Sequence, residues 1–123
     1  LSGSLCHRSI REAYNKGAIV AGSSAGAMVL CDFYLNPGDN IIYPGLGFVE
    51  GAIVIPHFEK FGDDWISIIQ SQKSGLDILG IDEQTGMLQY HAENLLHVHG
   101  PGHVTLLKGG STAKNTFNKI LKR

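Results

Sequence analysis

Gly22-Ser23-Ser24-Ala25-Gly26 is the stretch that decides how this chain is read. It follows the apolar run Ala18-Ile19-Val20-Ala21 and precedes Ala27-Met28-Val29-Leu30-Cys31, which can continue as a helix. A knot of small residues between a strand and a helix lets an α/β protein turn sharply. It holds one side chain up at the strand's carboxyl end. Ser24 is the centre of a G-x-S-x-G pattern in that context. Ser24 is expected in a strained backbone conformation, and a side chain at either Gly22 or Gly26 is expected to collide with the turn. The same five residues also fit a Gly/Ser-rich turn with no chemistry.

The flanking sequence supplies the context. Cys6, Ile10, Ala13 and Tyr14 form one apolar stripe, which predicts a helix over 4–16, with Ser4 as N-cap and Gly17 just beyond its end. Residues 18–21 then read as a buried strand. Helix, strand, turn and helix in this order imply a mostly parallel sheet with flanking helices. Residues 32–51 read as irregular, with a turn at Asn36-Pro37-Gly38-Asp39, and form a candidate substrate-facing loop. Ala52-Ile53-Val54-Ile55 is a second strand, limited by Pro56 and leading directly to His57. Residues 63–73 fit a helix with Trp65, Ile66 and Ile69 on one side and Gly62 or Asp63 as cap. Leu76 to Ile81 is a third strand, ending in Asp82-Glu83. Residues 87–91, 94–99 and 103–108 read as short antiparallel strands appended at the sheet edge, with turns at Asn94 and Gly100-Pro101-Gly102. Thr112 to Lys122 is compatible with a helix.

The whole is 123 residues, enough for one small domain. A hydrophobic content of 43% and a mean hydropathy of +0.03 are ordinary for a globular protein. A net charge of −1 gives no electrostatic case for nucleic acid or an anionic membrane as partner. No apolar run approaches the ~20 residues of a membrane span. Cys6 and Cys31 make no disulfide framework, which points to a reducing, cytoplasmic compartment. The sequence begins with Leu1, and its first recognisable element is the helix over 4–16, whereas an α/β domain normally opens on a strand. N-terminal strands are therefore expected to precede it, making 1–123 a single partial domain.

Three successive strands end in residues suited to acyl transfer: Ser24, His57 and Glu83. Strand carboxyl ends of an open parallel sheet lie along one edge, where ligands bind. A serine needs a base, an imidazole suits that task near neutral pH, and a carboxylate on its other nitrogen fixes the tautomer. Singly, the three also fit a turn residue, a strand-end histidine and a capping carboxylate.

Gly22-Ser23-Ser24-Ala25-Gly26-Ala27, Ile55-Pro56-His57-Phe58 and Leu79-Gly80-Ile81-Asp82-Glu83 resemble the successive motifs of the peptidase E family of serine peptidases. That family includes dipeptidase E and cyanophycinase. The resemblance runs from about residue 4 to residue 109. It implies a class I glutamine amidotransferase-like fold, with Ser24 as nucleophile, His57 as general base and Glu83 as the orienting acid. The backbone N–H of Ala25 is the implied oxyanion donor. Asp39 is a rival for the acid. A small peptide is the implied substrate, an Asp-Xaa dipeptide in the dipeptidase E pattern, with no cofactor. The family's glycine-rich turn that would supply a second oxyanion donor is expected upstream of residue 1. Cyanophycinases resemble one another in arginines after the His motif. Glu59-Lys60-Phe61-Gly62-Asp63-Asp64 stands there instead and disfavours that substrate.

Other readings stay open. An α/β-hydrolase-type esterase also uses G-x-S-x-G, but its histidine follows its acid. His91, His97, His99 and His103 could form a metal site, although no cysteine or paired carboxylate joins them. An inactive fragment or a non-catalytic, amidotransferase-like binding domain is the third.

Overall fold

The computed structural model describes residues 3–90 and 95–123. Helix α1 (Leu5–Asn15) and the short α2 (Ala25–Val29) are followed by the hairpin β1 (Phe33–Asn36) and β2 (Ile41–Pro44). Then come β3 (Ala52–Pro56), α3 (Phe58–Gln72) and β4 (Asp77–Ile81). The chain continues through β5 (Gly86–Gln89), β6 (Leu95–His99), β7 (Val104–Leu107), β8 (Asn115–Phe117) and β9 (Ile120–Lys122).

The central sheet has the order β3-β4-β7-β8. β3 and β4 pair in parallel, whereas β4–β7 and β7–β8 are antiparallel. The expected α/β layering is present, but the mostly parallel sheet is not. Among the described strands the parallel ladder is confined to β3 and β4.

Side-chain alternation on β3 explains the layers. Ala52 and Val54 face one way, toward Leu96, Val98 and Leu121 of a second sheet, β5-β6-β9. Ile53 and Ile55 face the other way, toward Ile66 and Ile69 of α3 and Leu35 of β1. Each fully buried Leu or Ile contributes roughly 1.5–3 kcal/mol to this arrangement.

Several sequence expectations are corrected. Residues 18–21 form no strand: among the described residues nothing pairs with them, and Ile19 is 85% exposed. An apolar run becomes a strand only where a neighbouring ladder takes up its backbone N–H and C=O groups. Residues 32–51 are not irregular throughout, because β1 and β2 lie within them. The Asn36–Asp39 turn is where it was expected. The Asn36 side chain accepts from Gly38 N–H (2.9 Å), and that of Asp39 accepts from Ile41 N–H (3.0 Å).

Helix α3 starts at Phe58 with His57 at its N-cap position, not at Gly62 or Asp63. Gly62, inside the helix, leaves room for the Phe58 ring, which a Cβ there would approach to 3.0 Å. The segment 112–122 is not a helix. Leu121 is buried as β9 pairs with β6, while β8 pairs with β7. These ladders override weak helix propensity in a segment with two Asn and two Thr. β7 belongs to the central sheet rather than to an edge appendage, although β5 and β6 pair as expected. The turn expected at Asn94 and the end of the strand at His91 lie outside the described residues.

Helix α1 is held by polar contacts more than by an apolar stripe. It buries no residue, and Cys6 and Ala13 are exposed. Instead Arg11 donates to the Leu46 carbonyl (2.7 Å) and lies over the Phe48 ring (4.0 Å). Ser4 caps the helix as expected, accepting from His7 N–H (3.0 Å).

Asp77 ties the end of the chain to the central sheet. Its carboxylate accepts from Lys108 Nζ (3.0 Å), Gly109 N–H (2.8 Å) and Arg123 Nε (3.1 Å). Burial opposes its ionisation, but these three donors outweigh burial and lower its pKa from 3.8. Asp77→Asn should therefore destabilise the protein by about 2 kcal/mol at neutral pH, read as a lower denaturant midpoint. A carboxylate with a depressed folded-state pKa contributes its full stability above its unfolded value and loses it as pH falls through the folded one. The difference between wild type and variant should shrink below about pH 4.

Candidate active site

The turn at Ser24 is built by its backbone. Ser24 has φ 54° and ψ −115°, a conformation that disfavours any side chain. A Cβ on Gly22 would lie 2.4 Å from the Gly26 backbone, so Gly22 is sterically required. Gly26 is not: a Cβ there meets nothing within 4 Å. The expected collision exists on one side of the serine only. Helix α2 starts immediately afterwards. Gly26 N–H donates to Ser23 and Met28 N–H to the Ser24 carbonyl. Among the described residues the Ala25 N–H has no such acceptor, as befits the first residue of a helix.

His57 comes from the junction of β3 and α3. Pro56 ends the strand, and His57 turns the chain in the left-handed region (φ 50°, ψ 50°) before α3 begins. The junction is pinned by Phe58, whose ring occupies the space that a side chain at Gly80 of β4 would need (2.2 Å). Glu83 follows the end of β4. Its N–H donates to both carboxylate oxygens of Glu59 (3.2 Å each), in the first turn of α3.

The structure brings the three together. Ser24 Oγ is 3.3 Å from His57 Nε2. On the other side of the ring, His57 Nδ1 is 3.3 Å from Glu83 Oε1. Hydroxyl, imidazole and carboxylate thus form one continuous line from the turn to the end of β4. Such a line can move a proton off the hydroxyl and hold the resulting imidazolium beside a negative charge. Asp39 is elsewhere. Its carboxylate accepts from Tyr43 Oη (2.6 Å) and Ile41 N–H, within the hairpin turn.

Lys60 sits on the same oxygen as the histidine, with its Nζ 2.8 Å from Glu83 Oε1. The Lys60 ammonium, by hydrogen bond and by charge, holds Glu83 below the usual carboxylate range; in return Glu83 raises Lys60. Beside them, Asp82 is pushed up by burial and by the adjoining Glu59 carboxylate, against the His103 N–H that it accepts.

A cavity of about 390 Å³ opens beside the serine. Ser24, Ala25, Met28 and Val29 line it from the turn and α2, and Tyr34 and Pro37 from the hairpin. Pro56, His57, Phe61 and Trp65 complete it from β3 and α3.

The family model described as Peptidase family S51 matches residues 2–97, which include Ser24, His57, Glu83 and the residues lining the cavity. The chain belongs to Peptidase family S51. A solved structure, the crystal structure of a peptidase from an acI-B1 Actinobacterium, is 28% identical with a TM-score of 0.82. The match covers 100% of this chain and 53% of that one, so the S51 chain spans about half the length of its structural relative. No curated protein matches it.

The remaining sequence expectations fall outside this site. Among the described residues no group of three or more His, Cys, Asp or Glu could hold a metal ion. The His97 ring stands edge-on to Tyr90, His103 lies 3.7 Å from Asp82, and His91 is outside the described residues. Among those described, no helix is long and apolar enough to cross a membrane.

Sequence reasoning missed Lys60, Glu59 and the aromatic lining of the S51 cavity. With α3 starting at Phe58, positions 57, 61 and 65 fall at i, i+4 and i+8 on one helix face. That spacing was present in the sequence, but it becomes visible only once the helix start is set five residues earlier.

Proposed function

We propose that the protein is a serine-type peptidase acting on short peptides. The continuous contact from Ser24 Oγ through both nitrogens of His57 to Glu83 carries this reading. Ser24 attacks the peptide carbonyl while His57 takes its proton. The Ala25 N–H donates to the oxyanion at the start of α2. His57 then protonates the leaving amine, and water, activated by the same imidazole, hydrolyses the acyl-enzyme. Glu83 keeps the imidazole in the useful tautomer and offsets its positive charge. Family membership and the peptidase relative support the reaction class. The free thiols of exposed Cys6 and buried Cys31 accord with a reducing, cytoplasmic setting.

The test pairs labelling with turnover. A fluorophosphonate should add one mass increment at Ser24, and a dipeptide panel should be cleaved faster than short-chain esters. The panel includes the Asp-Xaa dipeptides that likeness to dipeptidase E implies. Labelling with ester turnover alone would favour an esterase. Absence of labelling in folded protein would favour a binding domain.

A further inference from the structure

We infer that the cavity beside Ser24 selects a peptide with an apolar or aromatic side chain next to the scissile bond, rather than an acidic one. This rests on the reading of Ser24 as nucleophile and goes beyond it by naming the substrate class. The cavity of about 390 Å³ has the size of a small-molecule site, about 300–1,000 Å³, and includes the serine and the histidine in its wall. A substrate residue bound there is adjacent to the reacting atoms.

Its wall is apolar. Met28 and Val29 of α2, Pro37 of the hairpin turn, and Phe61 and Trp65 of α3 face it. Among the described residues no lysine or arginine lines it. An aspartate side chain placed there would lose water and gain no counter-charge, which is strongly unfavourable. Lys60, the cation nearest in the chain to this wall, is engaged at 2.8 Å by Glu83. An apolar side chain, by contrast, gains from every atom it withdraws from water.

The aromatic wall is also preformed. Phe61 stacks on Trp65 with centroids 5.4 Å apart and 22° between planes. Phe61 also meets the His57 ring edge-on, with centroids 6.1 Å apart. Phe61 remains 39% exposed although it is a large apolar residue on a helix whose core face lies elsewhere. An apolar surface held open beside a reactive pair is a binding surface rather than core.

The experiment measures second-order labelling rates of the purified protein with two fluorophosphonates, one with a phenylalkyl tail and one with a carboxylate tail. The phenylalkyl probe should react at least tenfold faster. Trp65→Ala should lower that ratio toward one, and Val29→Lys should reverse it by supplying the missing cation. The ratio cancels any general loss of reactivity in a variant, and Trp65→Ala carries the test if Val29→Lys does not fold. A wild-type ratio near one, or one favouring the carboxylate, overturns the inference while leaving the serine assignment intact. No labelling by either probe in folded wild type overturns the serine assignment and this inference with it.

Discussion

Ser24→Ala should abolish fluorophosphonate labelling and reduce peptide turnover by about 10⁴- to 10⁶-fold, as removal of the nucleophile from a working triad does. The size follows from the chemistry. Without Oγ there is no acyl-enzyme, and only the Ala25 N–H and the cavity remain to assist direct attack by water. Folding should be retained, because Ser24 is exposed and its side chain caps no helix. Near-ultraviolet circular dichroism checks that. A companion variant separates chemistry from backbone. Ser24 holds φ 54°, ψ −115°, and such conformations cost about 1–3 kcal/mol in a non-glycine residue. Ser24→Gly should therefore be as inactive as the alanine variant yet melt at a higher temperature than wild type. Turnover within tenfold of wild type in Ser24→Ala would remove the serine from the mechanism.

Glu83→Gln should cost about 10²–10⁴-fold in kcat with KM little changed. The upper bound is the loss seen when a buried triad acid becomes its amide. The expected value lies below it because Glu83 is 44% exposed and water can partly replace it. Asp39→Asn should leave turnover close to wild type, since that carboxylate is engaged by Tyr43 and Ile41. If Asp39→Asn shows the large loss and Glu83→Gln does not, the acid has been misassigned. The pH profile adds a second readout. Lys60 holds the Glu83 pKa down by hydrogen bond and charge, so Glu83 stays ionised as pH falls and is lost only below its ordinary value. Lys60→Met lifts that restraint, and activity should fail earlier on acidification.

The site was more legible in the sequence than the sheet. Gly22, Ser24, His57 and Glu83 are local signals: each is a strand end or a turn, and short-range backbone chemistry is written in neighbouring residues. The sheet depends on partners far along the chain. Nothing in Ala18–Ala21 reveals that no described strand reaches it. Nothing in Thr112–Lys122 reveals that β6 and β7 offer it two ladders. The start of α3 was misplaced for a related reason. Asp63 looks like a cap, but Phe58 packed over Gly62 and Gly80 lets the helix begin at once after His57. With the helix start went Lys60 and Glu59, which touch Glu83 through a fold contact that spacing alone cannot display.

Both members of the 3.3 Å contact, Ser24 and His57, sit at positive φ, at 54° and 50°. Two neighbouring residues are thus kept in conformations that glycine would adopt without penalty. In a lineage released from the need to cleave peptides, drift toward stability would act on these positions early. Glycine at 24, or glycine or asparagine at 57, on an otherwise intact scaffold would be the fossil of a lost activity. The two dihedral angles therefore offer a way to tell a retired copy from a working one by reading two codons.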